Sequence, residues 1–143
     1  MKTTSLFCAT GAILLLAAAS NAAADDLEKM AGKWSAKKTT DEGQSYTQTI
    51  EIKKDKLVFR IAGSDGATRL YATGDVKVEK LGPFNIMKVT NIKAGQSEAE
   101  MNPVDDDRTL IYQLGDDTWT IASDFDRERR SPPSLAVYKR LEK

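Results

Sequence analysis

The chain has no histidine and a single cysteine, Cys8, in 143 residues. Those two shortages remove most familiar site chemistry. Thiolate–imidazole zinc centres need Cys or His. Ser-His-Asp and Cys-His catalysis use the imidazole as proton carrier, and one cysteine cannot build a disulfide framework. Carboxylates, Lys and Tyr remain, and no two carboxylates can be placed at the defined separation that glycoside hydrolysis needs. The expectation is a protein that is not an enzyme and carries no metal and no cofactor. Charge of one sign is missing too. Lys plus Arg number 21 and Asp plus Glu number 21, so there is no case for nucleic acid, which asks for a basic face. There is no internal repeat, no low-complexity tract and no composition shift that would mark a second domain.

What is present starts with a leader. Residues 1–24 have one charge, Lys2, then an apolar run from Leu6 to Ala19 broken only by Thr10 and Gly11. Ser20-Asn21 and Ala22-Ala23-Ala24 follow, a small-x-small cleavage pattern. The run is shorter than the ~18–20 apolar residues a spanning helix requires, so the reading is a signal peptide cut after Ala24, with no membrane span afterwards. Cys8 lies inside the apolar run, unlike a lipoprotein cysteine, and leaves with the leader. The remaining Asp25–Lys143 is one domain, with one more acid than base, located in the periplasm or secreted.

Asp25–Ala31 is expected to form a short helix. Asp25 caps it, Glu28 completes a capping box, and Leu27, Met30 and Ala31 share a face. Gly32 ends it. From there the pattern is mostly strand, in eight stretches starting at Trp34, Tyr46, Leu57, Arg69, Phe84, Arg108, Thr118 and Ser134. The alternation is clearest in Tyr46–Ile52 and Leu57–Ile61, and Gly115-Asp116-Asp117 turns the plainest hairpin. Gly74 suggests a bend in the fourth strand. Ala94–Asp107 and Ser123–Pro133 are expected to be polar loops. The fold expected is all-β, an antiparallel barrel or sandwich of about eight strands behind a short N-terminal helix.

Leu27…Gly32-Lys33-Trp34 resembles the Gly-x-Trp signature of lipocalins, and Leu135-Ala-Val-Tyr-Lys-Arg140 resembles their closing strand, which ends in Arg. The hairpin Leu110–Ile121, Arg130-Ser131-Pro132 and the final Lys139-Arg140 are more specifically similar to a family of small exported bacterial lipocalin-like domains to which no activity attaches. Trp119 replaces that family's usual Leu, and Ser131 splits its Arg-Pro pair. The resemblance implies an up-and-down barrel in which Trp34 packs at the closed end beneath Arg140, with a cation–π attraction of about 0.5–2 kcal/mol. Leu27, Met30 and Gly32 belong to the same end, with the helix as its plug. A structural role for this group outweighs a ligand role, since an aromatic at a core position is more often packing.

An eight-stranded barrel holds packed side chains or one small ligand. Phe59, Tyr71, Phe84, Tyr112 and Trp119, with Ile121 beside them, are the candidate lining; ordinary core is the competing reading for each. Asp105-Asp106-Asp107 lacks the spaced oxygens of a calcium loop and suits a solvated turn. Arg127–Arg130, an anion or partner patch on its face, suits a solvated loop beside Asp124 and Asp126. The function expected is a binding module holding a small apolar ligand in the barrel mouth. The alternative is an interaction or inhibitor module with a filled barrel, which meets an envelope protein through its two long loops.

Overall fold

The computed structural model describes residues 17–126 and 130–142. Among these residues a helix, α1 (Ala17–Met30), precedes nine strands: β1 (Gly32–Thr39), β2 (Ser45–Lys53), β3 (Lys56–Gly63), β4 (Thr68–Leu81), β5 (Phe84–Gly95), β6 (Met101–Pro103), β7 (Arg108–Leu114), β8 (Thr118–Ser123) and β9 (Ser134–Glu142). Eight strands pair antiparallel with their sequence neighbours, and β9 returns to β1, so the sheet closes into an up-and-down barrel. β6 lies outside that ring, paired to the end of β5.

Strict alternation sets what faces inward. Trp34 pairs with Ile50, Ile50 with Phe59, Val78 with Met87, and Trp119 with Tyr138, and all of these belong to or pack against one buried cluster. β-Branched and aromatic residues dominate those positions because they fit a pleated, half-buried surface. Lysines, threonines and acids take most of the alternate positions and face out. The bend expected at Gly74 is a register shift between Thr73 and Asp75 in the β4–β5 ladder.

Two expected elements differ. Among the described residues the helix extends N-terminal of Asp25, back to Ala17, because the alanine-rich run upstream has the strongest helix propensity. Asp25 therefore lies inside the helix and, instead of capping it, pairs with Lys29 one turn on, at 2.7 Å. The leader expected over residues 1–24 falls outside the described residues up to residue 16. No described helix is long and apolar enough to cross a membrane.

The second difference is in Ala94–Asp107, expected to be an open loop. β5 runs on through Gly95, a 3-10 turn spans Glu98–Glu100, and β6 folds back so that Met101 pairs with Gly95. A Cβ at Gly95 would stand 1.8 Å from the Glu100 carbonyl oxygen, so this tight return needs glycine.

Candidate functional site

One end of the barrel is closed by α1. Gly32, at φ 109°, turns the chain sharply from helix into β1. That turn sets Trp34 beneath the helix end, where its Nε1 donates to the Met30 carbonyl at 2.8 Å. Arg140 reaches the same point from the last strand, its guanidinium 3.9 Å from the Trp34 ring centroid. The fork donates to three backbone carbonyls: Ala31 at 3.0 Å, Lys29 at 2.7 Å and Asp116 at 3.2 Å. Two of these lie at the C-terminal end of α1, where helix carbonyls lack intrahelical partners and a cation is favoured. Met30 is fully buried and Leu27 packs against the core. Beside this group lies a cleft of about 450 Å³, walled by Asp25, Glu28 and Lys29 on the helix and Gly115 and Asp116 on the β7–β8 turn.

The interior next to this end is filled. Trp34 and Trp119 meet edge to face with centroids 5.5 Å apart, and Trp119 is 6.4 Å from Tyr138. Trp34, Trp119, Met30 and Met87 have no exposed surface at all. The Trp119 indole N–H is buried without an acceptor. Tyr112 points inward and donates its hydroxyl to Asp26 Oδ2 at 2.8 Å, tying the barrel floor to α1. Burial first, then the bond to Asp26 and its charge, raises the Tyr112 phenol well above the ordinary tyrosine range.

Towards the opposite end the inward positions are only half-buried. Tyr46, Gln48, Ile61 and Leu70 face in by register but keep part of their surface exposed. The small Ala36 separates Gln48 from Tyr138, and the Tyr138 hydroxyl donates across it to Gln48 Oε1 at 2.8 Å. Burial and the nearby Tyr46 hold the Tyr138 phenol far above its usual pKa. At this end apolar Ile61 and Leu70 and the Tyr138–Gln48 pair stand above the tryptophan floor, with Lys38 and Arg108 also facing in by register.

The rim at this end is cross-tied. Arg108 donates to Asp106 at 2.7 Å and to Asp124 at 2.9 Å, and Asp126 accepts the Thr109 backbone N–H at 3.1 Å. Asp106 thus serves an ion pair on the rim. Of the Arg127–Arg130 stretch, residues 127–129 lie outside the described residues, and Arg130 is exposed.

The expected lining is divided by this geometry. Tyr112 and Trp119, with Ile121, sit in the buried interior, and Phe59 packs against it partly exposed. Tyr71 and Phe84 do not line the barrel. Tyr71 pairs with Arg60 and Gly95 on the outer face, with the Arg60 guanidinium 5.4 Å from its ring centroid. It is buried on the outside, apart from the core cluster. Phe84 shares the outer face of β5 with Ile86 and is 51 % exposed. In both cases strand parity overrides the preference of aromatics for the interior. Tyr46, Gln48 and Tyr138 were not among the expected site residues. The alternation of Tyr46, Gln48, Ile50 and Ile52 carried the signal for the first two.

Comparison with family models, with curated proteins and with solved structures gave no match.

The two buried phenols make alkaline pH a test of the packing. An acid whose pKa is raised by folding contributes stability that is whole below its unfolded value, about 10 for tyrosine, and is lost as pH rises beyond it. Urea midpoints are therefore expected to hold up to about pH 10 and fall steeply above. Replacing both Tyr112 and Tyr138 by Phe should flatten that fall. An unchanged slope in the double variant would refute the assignment.

Proposed function

We propose that the chain is an exported, lipocalin-like binding module, periplasmic or secreted, that takes a small, mostly apolar ligand in its open mouth and catalyses no reaction. The observation that carries this reading is the contrast between the two ends. Inward-facing Ile61, Leu70 and Tyr46 keep surface exposed above a floor of fully buried tryptophans. An apolar wall with a few converging polar groups is the usual make-up of a small-ligand site. Tyr138 and Gln48 are the groups that would orient a ligand: the Tyr138 proton is held by Gln48 Oε1, which leaves the hydroxyl oxygen as acceptor and the Gln48 amide N–H as donor. The filled floor limits the ligand to one that lies shallowly. The lack of histidine supports a non-catalytic role, since His is the commonest acid–base group.

Native mass spectrometry of protein purified from its own cell envelope tests the reading. A retained small-molecule adduct, displaced by an excess of 1-anilinonaphthalene-8-sulfonate and lost in Leu70→Arg, is expected. Protein that carries no adduct and does not bind the probe would overturn it.

A further inference from the structure

The outer wall formed by β7, β8 and β9 is unlike the rest of the barrel surface. Among its described outward positions, running from Thr109 to Gln113, Thr118 to Ala122 and Leu135 to Leu141, only Lys139 is charged. The wall formed by β1, β2 and β3 presents Lys33, Lys37, Glu51, Lys53 and Arg60 at the equivalent positions.

On the β7–β9 wall the register aligns one apolar row that continues onto β5, across four strands. Leu135 pairs with Ala122, Ala122 with Ile111, and Ile111 with Ile86. Ile86, at the β5 end of this row, is 2 % exposed and stands outside the core cluster. Leu135, Val137 and Leu141 stand 64 %, 52 % and 60 % exposed, and the tip of the β4–β5 hairpin adds Leu81 and Phe84. Thr109, Gln113, Thr118 and Thr120 interleave with these residues, and exposed apolar side chains gathered on one wall mark an interaction site on a folded domain.

We infer that this wall is the interface of a homodimer, with a second copy of the chain as its occupant. The argument for a second copy is charge. A two-fold interface sets the same patch against itself, so any strong charge there would meet its like. This wall is almost free of charge, and the chain as a whole is neutral, with 21 basic and 21 acidic residues, so two copies approach without repulsion. Polyanions and anionic lipid surfaces select lysine- and arginine-rich faces, and this wall has one lysine. Four strands at a spacing of about 4.8 Å and about 20 Å of strand length give a footprint of roughly 400 Å². That is small beside the about 800 Å² per partner of a standard complex, so the dimer is a reversible one.

Sedimentation velocity of the native protein across about 1–200 µM tests this, since a reversible dimer dissociates in the micromolar range. The expected result is a monomer–dimer equilibrium that Val137→Asp weakens roughly a hundredfold, because the carboxylate would be buried unpaired. Arg60→Glu, on β3 across the barrel from β8, should leave it unchanged. Circular dichroism checks that both variants keep the barrel. Flotation with vesicles of phosphatidylcholine and phosphatidylglycerol is the companion measurement. A wild-type monomer at every concentration, an equilibrium indifferent to Val137→Asp, or vesicle binding that this substitution abolishes would each overturn the inference.

Discussion

Replacing Trp34 with phenylalanine should destabilise the protein by about 3 kcal/mol, whereas the same change at Trp119 should cost roughly 1 kcal/mol or less. Both indoles are fully buried, so their apolar surface does not distinguish them. Their N–H groups do. Trp34 donates to the Met30 carbonyl and carries the Arg140 guanidinium over its ring. Phenylalanine there leaves a buried acceptor unpaired, reduces the π-face opposite the cation and opens space. Trp119 has an orphaned N–H, which itself costs about 1–3 kcal/mol. Its removal offsets much of the packing loss. Each variant retains one tryptophan as fluorescent reporter, and urea unfolding gives both values. Equal losses would show that hydrogen bonding does not set the difference.

Arg140→Met is expected to remove about 3 kcal/mol, and Arg140→Lys nearly as much. Methionine keeps an apolar stem against Trp34 but leaves the carbonyls of Lys29, Ala31 and Asp116 without their shared donor. A lysine carries the charge but, as a point donor, cannot span three acceptors spread over the helix end and a hairpin turn. The loss should appear first as undocking of α1, so amide exchange at Leu27–Ala31 should accelerate ahead of the barrel strands. Combined with Trp34→Phe, the effects should fall short of additivity by about 1 kcal/mol, as expected for residues in direct contact. Uniform acceleration over the whole barrel would argue that Arg140 stabilises the sheet and not the helix.

The barrel was legible because most strands declare their own faces. Ile50 and Ile52 against Glu51, and Val76 and Val78 against Lys77 and Glu79, are simple alternations, and each turn between them carries Gly, Asp or Pro. The closed end was legible for a different reason: the Gly-x-Trp and terminal Arg were matched to a known pattern, and they meet. Tyr71 was misplaced although its position was readable. It is odd-numbered in a strand whose Val76 and Val78 point inward, so alternation alone sends it outside. Phe84 was harder, since β5 has apolar residues on both faces, with Ile86 out and Met87 and Val89 in. The return of β6 onto β5 left no trace in hydropathy. It depends on the space left by Gly95 under the Glu100 carbonyl, a tertiary fact. The outer wall with a single lysine could not be seen at all, because its residues come from strands whose lateral order exists only once the barrel closes.

That closure has a kinetic side. Trp34 and Arg140 are cross-strand partners at the β1–β9 seam, and Arg140 bonds to Ala31, 109 positions away in the chain. Ring-forming contacts of such long range are slow to find. Until the last strand arrives, β1 and β8 are both open sheet edges, ready to pair with any extended chain nearby. A polypeptide cut off before Ser134 would hold both edges open permanently. The final ten residues are thus the step that ends the molecule's exposure to aggregation, and Arg140, near their end, fastens the helix and the seam together.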